Sequence, residues 1–108
     1  MVQISRLLLG ICGVLDMKRL TLYIGADNDT GLIDRETIRR WADDHFPEGY
    51  TLIDGKGYWR GNQETTCILT NISKEFPEIV KEWVALLRSF LNQQSILMVI
   101  DEVEATFV

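Results

Sequence analysis

Residues 77–91 read PEIVKEWVALLRSFL, and this stretch decides the fold. Pro77 suits a first helical turn, and the apolar residues that follow it recur at the spacing of one helical face. Lys81, Glu82 and Arg88 fall outside the apolar stripe. We predict an amphipathic helix that packs on a core through Ile79, Val80, Trp83, Leu86, Leu87, Phe90 and Leu91.

Predicted strands lie on both sides of this helix. Residues 95–100 form a short apolar run after it, and residues 63–72 and 50–53 form two runs before it. Residues 105–108 are predicted to lengthen the last strand or to add a further strand to the same sheet. The segment 54–62 carries three glycines, so we predict a bulge or a bent strand that ends in a hairpin.

The first part of the chain repeats the alternation of strand and helix. The apolar residues Leu20, Leu22 and Ile24 alternate with more polar ones, which predicts a half-buried strand that ends at Gly25. A turn-rich loop follows at residues 27–31. Asp34 then caps a predicted helix that runs to about Phe46, with one face formed by Ile38, Trp41, Ala42 and His45.

The resulting order is β-α-β-β-α-β in an α+β domain. Two helices with one apolar stripe each can cover one face of a four-stranded antiparallel sheet, which predicts a ferredoxin-like sandwich. The other sheet face must then be polar, be paired with another subunit, or bind a ligand. Exposed apolar residues on that face would favour a homo-oligomer.

Composition excludes several classes of function. The chain has 108 residues, enough for one core, and its 11 Lys and Arg against 16 Asp and Glu give a net charge of −5. Such an acidic chain is unsuited to long nucleic acids, although one or two arginines can still serve a small nucleotide. Two cysteines and one histidine are too few for a zinc site with four protein ligands. We predict no metal and no cofactor.

Residues 1–16 form a leader before a single domain at residues 17–108. Their apolar run is shorter than the roughly 20 residues that span a bilayer, so we predict no membrane partner. Three interpretations stay open: a mis-annotated start with Met17 as the true one, a weak export signal, or an added strand. Ile11 before Cys12 departs from a lipoprotein signal, which favours a cytoplasmic protein.

Four short segments carry a resemblance to a protein family. They are LYIG at residues 22–25, FPEGYTL at 46–52, GYWR at 57–60 and QSIL at 94–97, with Phe107 near the end. Together they resemble a small bacterial and phage domain family with no assigned activity, often lipoprotein-like in bacteria. The resemblance implies the same fold over residues 20–107 and brings no catalytic residues.

The glycine-rich segment holds the candidate binding site. An aromatic ring and a guanidinium beside glycines can stack on a base and grip a phosphate. The alternative is a glycine-bent hairpin with Trp59 in the core and Arg60 in solvent. The glycine spacing does not match a known phosphate-binding fingerprint. We assign ligand binding to Tyr23, Tyr58, Trp59, Arg60, Asn62 and Glu64.

Other polar residues have structural explanations. His45 is expected to pack at a helix end, and Cys67 is expected to be a buried apolar residue. Cys12 and Cys67 could pair only in an exported protein. The loop at 27–31 lacks the pattern of a calcium-binding loop. Arg39 and Arg40 are expected to pair with Glu36 and Asp43. The acidic residues Asp101, Glu102 and Glu104 are expected to form a solvated edge of the sheet. The alternative is that they bind magnesium together with Glu64 or Asp54.

These observations predict a non-enzymatic protein that binds a small anionic or nucleotide-like ligand at a subunit interface. Its concrete form is a phage-encoded sponge that sequesters a nucleotide-derived immune signal. One alternative is a structural or protein-interaction module that uses the free sheet face. A further alternative is a small enzyme that uses His45 or carboxylates, although no motif places a nucleophile, a base and an oxyanion donor together.

Overall fold

A computed structural model describes residues 15–108. Four strands and two helices follow one another in the predicted order. They are β1 (Leu15–Gly25), α1 (Arg35–His45), β2 (Thr51–Trp59), β3 (Asn62–Ser73), α2 (Val80–Phe90) and β4 (Leu97–Ala105). Within this part of the chain, no helix is long and apolar enough to cross a membrane.

The strands form one antiparallel sheet in the order β2-β3-β1-β4. Leu22 of β1 lies between Leu69 of β3 and Met98 of β4, and Leu69 in turn pairs with Leu52 of β2. Directly paired residues share a sheet face, so this register places an aliphatic row across all four strands. The predicted α+β sandwich is confirmed.

Both helices cover the face that carries this row. Leu20, Leu22 and Ile24 are fully buried there, together with Ile38 of α1 and Leu87 of α2. The two helices also contact each other, because the Trp41 indole Nε1–H donates to the Trp83 carbonyl oxygen over 3.0 Å. Burial of these aliphatic side chains contributes most of the stability.

Helix α1 begins as predicted. Asp34 is its N-cap residue, and its carboxylate accepts hydrogen bonds from the Thr37 backbone N–H and hydroxyl. These hydrogen bonds lower the pKa of Asp34. Of the predicted apolar face, Ile38, Trp41 and Ala42 are buried and His45 is half-buried.

Helix α2 differs from the prediction in which residues it buries. Its inner face consists of Val80, Val84, Leu87 and, just after the helix, Leu91. Ile79, Leu86 and Phe90 were predicted to pack on the core, but they are exposed. A helix that lies on a sheet buries only a narrow stripe, and the apolar stripe of this sequence is wider than that. Pro77 precedes the helix, and its carbonyl oxygen accepts from the Val80 N–H.

Strands β2 and β3 form one regular hairpin. The prediction ended the second strand at Ile53, but the strand continues to Trp59 without a bulge, since Thr51↔Thr70 and Trp59↔Asn62 belong to one unbroken register. Arg60 and Gly61 form the two-residue turn, with φ of 50° and 81°. Two positive φ values are typical of a type I′ turn, whose twist matches that of the strands.

Two strand boundaries also differ from the prediction. Strand β4 runs over Leu97–Ala105 rather than 95–100, so the acidic residues that follow Ile100 lie within the strand. Asp101 pairs with Arg19 and Glu102 with Lys18 on the neighbouring β1. Strand β1 begins at Leu15, so its first two residues come from the predicted leader; the rest of that leader lies outside the described residues.

The face of the sheet opposite the helices is partly apolar. Alternation along the strands places Tyr23, Ile53, Ile68, Leu97 and Val99 there, and all of these except Ile68 are exposed large hydrophobic residues. We call this the open face. The sequence analysis expected this face to be polar, to pair with another subunit or to bind a ligand. The exposed apolar residues show that it is not entirely polar.

Candidate functional site

The candidate site lies where the hairpin extends beyond its neighbour. The pairing of β1 with β3 ends at Gly25↔Thr66, so residues 56–65 continue as a two-stranded ribbon that we call the arm. A cavity of about 790 Å³ lies in the corner between the arm, the end of β1 and the start of β4. It is large enough for a nucleoside-sized molecule.

Three groups of residues line the corner cavity. The end of β1 and the segment around Ser95 form its inner walls, and the arm forms its outer wall. Its aromatic lining residues are Tyr23, Tyr58 and Trp59, and its glycines are Gly25, Gly55 and Gly57. Its polar lining consists chiefly of Asn28, Lys56, Glu64, Thr66, Gln93, Gln94 and Ser95.

The inner wall is held by a network of hydrogen bonds. Asn92 has a positive φ of 53° just after α2, and its side-chain amide donates to Asp27 Oδ1 and Asp29 Oδ2. The next residue, Gln93, donates its amide hydrogen to the carbonyl oxygen of Ala26. The loop after β1 and the segment after α2 are therefore fastened together, and the wall they form is preorganised.

Two glycines leave room for polar groups on the cavity floor. A Cβ atom at Gly25 would lie 3.2 Å from Gln93 Oε1 and 3.6 Å from Glu64 Oε1. A Cβ atom at Gly57 would lie 2.7 Å from Thr66 Oγ1 and 3.6 Å from the same Glu64 oxygen. The Glu64 carboxylate thus lies close to both glycines, and the side-chain oxygen of Gln93 lies close to Gly25.

The arm exposes its aromatic residues. Trp59 has 68% of its surface exposed, so the alternative that placed it in the core is wrong. The Arg60 guanidinium lies 5.6 Å from the centre of the Trp59 ring, within the range of a cation–π contact. On the other face of the ribbon, the Tyr58 hydroxyl donates to Gln63 Oε1 over 3.2 Å.

Four of the six sequence-predicted binding residues line the corner cavity. They are Tyr23, Tyr58, Trp59 and Glu64, whereas Arg60 and Asn62 lie at the tip of the arm and do not line it. The sequence analysis missed Gln93, which lies in the segment after α2. The missed signal is the polar run Asn92-Gln93-Gln94, which follows directly after a helix and precedes a strand.

His45 and Cys67 both lie outside the corner cavity. The His45 ring lies 4.8 Å from Trp41 and 4.7 Å from Trp83 between ring centroids, and its Nδ1 is 2.7 Å from the Trp41 carbonyl oxygen. Because that oxygen only accepts, Nδ1 carries the hydrogen. Cys67 is buried, and burial raises its thiol pKa. Both residues take the structural roles predicted for them.

The predicted alternatives for a metal site find no support. In residues 15–108, no group of three potential ligands is close enough to hold a metal ion. Asp101 and Glu102 pair with β1, and Asp54 pairs with Arg35 over 2.9 Å. Asp54 also lies on the opposite face of the hairpin from Glu64. Asp27 accepts from the backbone N–H groups of Thr30 and Asp29, which lowers its pKa as in a tight polar turn.

The charged residues Arg39, Arg40 and Asp43 of α1 all have local partners. Arg39 and Arg40 both contact the Glu36 carboxylate, at 3.2 and 3.3 Å. Asp43, the other predicted partner, instead accepts a 2.6 Å hydrogen bond from the Tyr50 hydroxyl. Burial, with this hydrogen bond, raises the pKa of Tyr50 to about 12. Cys12, which could pair with Cys67 only in an exported protein, lies outside the described residues.

Two solved structures share this architecture. A phage SAM lyase in complex with S-methyl-5′-thioadenosine is 14% identical with a TM-score of 0.62, over 84% of this chain and 90% of that one. CPII, a nitrogen regulatory PII-like protein from Thiomonas intermedia K12 bound to ADP, AMP and bicarbonate, is 13% identical with a TM-score of 0.59, over 89% and 99%. No protein-family model and no curated protein sequence matches the chain. At these identities the likeness establishes the fold.

Proposed function

We propose that this protein binds a small adenosine-containing molecule in the corner cavity and releases it chemically unchanged. In its fuller form, the proposal is a cytoplasmic, phage-encoded sponge that sequesters a nucleotide-derived immune signal. The observation that carries the binding proposal is the cavity itself. It combines exposed aromatic rings, a glycine floor and unengaged polar groups at a preorganised corner.

The chemistry of the cavity suits a nucleoside. Tyr23 and Trp59 offer faces on which a base can stack, and stacking of one base on an aromatic ring is worth about 1–3 kcal/mol. Lys56 lines the same cavity and can attract an anionic group. The ligands named for the two similar structures, S-methyl-5′-thioadenosine and the adenine nucleotides, all contain an adenosine, which supports this ligand class.

Capture without turnover is favoured by where the reactive side chains lie. His45 is held between two indole rings, and Cys67 is buried under the helices, so neither faces the corner cavity. Glu64 is the carboxylate that lines it. Thr66 and Ser95 also line the cavity, but within residues 15–108 no hydrogen bond joins either hydroxyl to Glu64. A carboxylate that is not paired with a nucleophile is better suited to holding a ligand than to converting it.

Equilibrium dialysis tests the proposal on the full chain. S-methyl-5′-thioadenosine, AMP and S-adenosylmethionine are each incubated with the protein, and the bound fraction is released by denaturation and identified by mass spectrometry. We expect saturable binding of at least one compound and its recovery with unchanged mass. Recovery of an altered compound would establish the enzyme alternative, and absence of binding to all three would remove the adenosine class.

A second copy of the chain is proposed as the occupant of the open face. Tyr23 and Leu97 belong both to this face and to the lining of the corner cavity, so a copy packed there would also enclose the bound ligand. Sedimentation equilibrium is expected to show an oligomer that Leu97→Asp dissociates. A monomeric wild-type protein would favour the alternative of a surface that binds another protein.

A further inference from the structure

We propose that the corner cavity selects ligands that carry the free vicinal hydroxyl groups of a ribose, and that Glu64 accepts hydrogen bonds from them. This inference rests on the proposed function and names the part of the ligand that the protein reads. Lys56 and Glu64 lie on opposite faces of the arm, since Lys56 pairs with Thr65 whereas Glu64 pairs with Gly57. The Glu64 carboxylate, rather than the Lys56 ammonium, therefore meets the part of the ligand that lies on the glycine floor.

Beside Gly25, the floor of the cavity presents two hydrogen-bond acceptors, Glu64 Oε1 and Gln93 Oε1. Ion pairs and side-chain hydrogen bonds within residues 15–108 engage the neighbouring Gln63 and Asp54 but not the Glu64 carboxylate. The side-chain amide of Gln93 donates to the Ala26 carbonyl oxygen, and this hydrogen bond orients Gln93 Oε1 toward Gly25. An ionised carboxylate and an amide oxygen only accept hydrogen bonds, so a complementary ligand must bring donors.

A vicinal diol matches this arrangement better than a phosphate does. Its two O–H groups can donate to the two oxygens of one carboxylate, and hydrogen bonds to an ionised acceptor are the stronger kind. An acidic residue reads ribose hydroxyls in the same way in other nucleotide-binding folds. A phosphate placed at Glu64 would instead bring two negative charges together.

The two glycines keep this subsite open. A methyl group on Gly25 would lie 3.2 Å from Gln93 Oε1 and 3.6 Å from Glu64 Oε1, so it would take the space that the hydroxyl groups need between these acceptors. Gly25 does not have a positive φ, since among residues 15–108 the glycines with a positive φ are Gly31, Gly49 and Gly61. Alanine at position 25 therefore fills the subsite without forcing the backbone into an unfavourable conformation.

Calorimetric titration of the full chain with a matched set of nucleosides tests the inference. The probes are adenosine, 2′-deoxyadenosine and 3′-deoxyadenosine, which differ only in the hydroxyl groups at issue. We expect the wild-type protein to bind adenosine at least tenfold more tightly than either deoxynucleoside. Glu64→Gln is expected to weaken adenosine binding by a similar factor and to abolish the difference between the three probes.

The controls separate this inference from the proposed function. Glu82→Gln, which changes an exposed carboxylate on α2, is expected to bind like the wild type, and circular dichroism checks that each variant is folded. Equal binding of all three nucleosides by the wild type would overturn the diol inference and leave the proposed function intact. Binding that Glu64→Gln leaves unchanged would overturn it in the same way. No binding of any of the three nucleosides, together with no binding of AMP or S-methyl-5′-thioadenosine in the dialysis experiment, would overturn both.

Discussion

The β2–β3 hairpin has two parts, the base (residues 51–55 and 66–73) and the arm (residues 56–65). One continuous register joins them, but the burial of their side chains differs. In the base, Cys67 and Leu69 of β3 lie under the helices with at most 1% of their surface exposed. In the arm, Tyr58 and Trp59 each expose 68%. The β2–β3 register is the same in both parts, but β3 also pairs with β1 in the base and not in the arm, and the buried side chains of the base lie under the helices.

This difference indicates that the base contributes mainly to stability and the arm mainly to binding. The base draws its stability from aliphatic burial, whereas the arm depends on backbone pairing and a favourable turn. Because its rings are not used for packing, the arm can offer them to a ligand. Substitutions in the base should therefore affect folding, and substitutions in the arm should affect binding.

The largest effect is expected from Leu69→Ala in the base. Leu69 is fully buried, and the cavity left by its side chain is expected to lower the free energy of unfolding by about 2–5 kcal/mol. Urea unfolding followed by circular dichroism measures this change. Leu86→Ala, which truncates an exposed leucine on α2, is the matched control and is expected to cost less. Equal losses for the two variants would contradict the comparison.

The next effect concerns binding by the arm. Trp59→Ala is expected to weaken binding of S-methyl-5′-thioadenosine by about 1–3 kcal/mol, because a stacking surface is lost. Its unfolding free energy is expected to change by less than about 0.5 kcal/mol, since the ring is largely exposed. Phe90→Ala, an exposed aromatic on α2, is the control and should leave both quantities unchanged. A Trp59→Ala variant with wild-type affinity would separate the arm from the binding site.

A smaller effect is expected at the helix that covers the base. Asp34→Ala removes the N-cap of α1 and is expected to cost about 1 kcal/mol of stability. The folded state lowers the pKa of Asp34, so its stabilising contribution is present above the usual aspartate pKa and is lost as the pH falls toward the folded value. Unfolding of the wild type and of Asp34→Asn from pH 6 to pH 2 measures this. If the variant loses stability as steeply as the wild type, other carboxylates dominate.

The smallest effect is expected at the turn of the arm. Arg60 adopts a positive φ of 50°, and asparagine before glycine is the preferred pair in a type I′ turn. Arg60→Asn is therefore expected to raise the unfolding free energy by up to about 1 kcal/mol, reduced by the loss of the contact with Trp59. Thermal unfolding measures the change, with Arg60→Lys as the control that keeps the charge. A lower melting temperature for Arg60→Asn than for Arg60→Lys would show that the side-chain contact outweighs the turn.

The sequence predicts the helix-covered face of the sheet more fully than it predicts the arm. Periodicity identifies Leu20, Leu22 and Ile24 as core residues because a strand with one covered face must alternate. The same criterion assigned Leu86 to the core of α2, since periodicity does not report how wide a stripe the sheet covers. The exposure of Trp59 also depends on tertiary structure, because β1 ends before the arm does.

The candidate site was predicted only in part for a similar reason. Local composition led to Tyr58 and Trp59, which are adjacent to glycines in the sequence. Gln93 reaches the cavity from a distant segment, and its position depends on how the chain after α2 is fastened to the loop after β1. A contact of this kind leaves no local pattern in a single sequence.

The most direct test of the binding proposal is a titration of the isotopically labelled full chain with S-methyl-5′-thioadenosine, followed by two-dimensional NMR. Binding in the corner cavity predicts the largest shifts in the backbone amides of Gly25, Gly57, Glu64 and Gln93. The amides of α1, such as that of Arg40, should be the least affected. Shifts confined to the helices, or no saturable shift at all, would contradict the assignment of the corner cavity as the binding site.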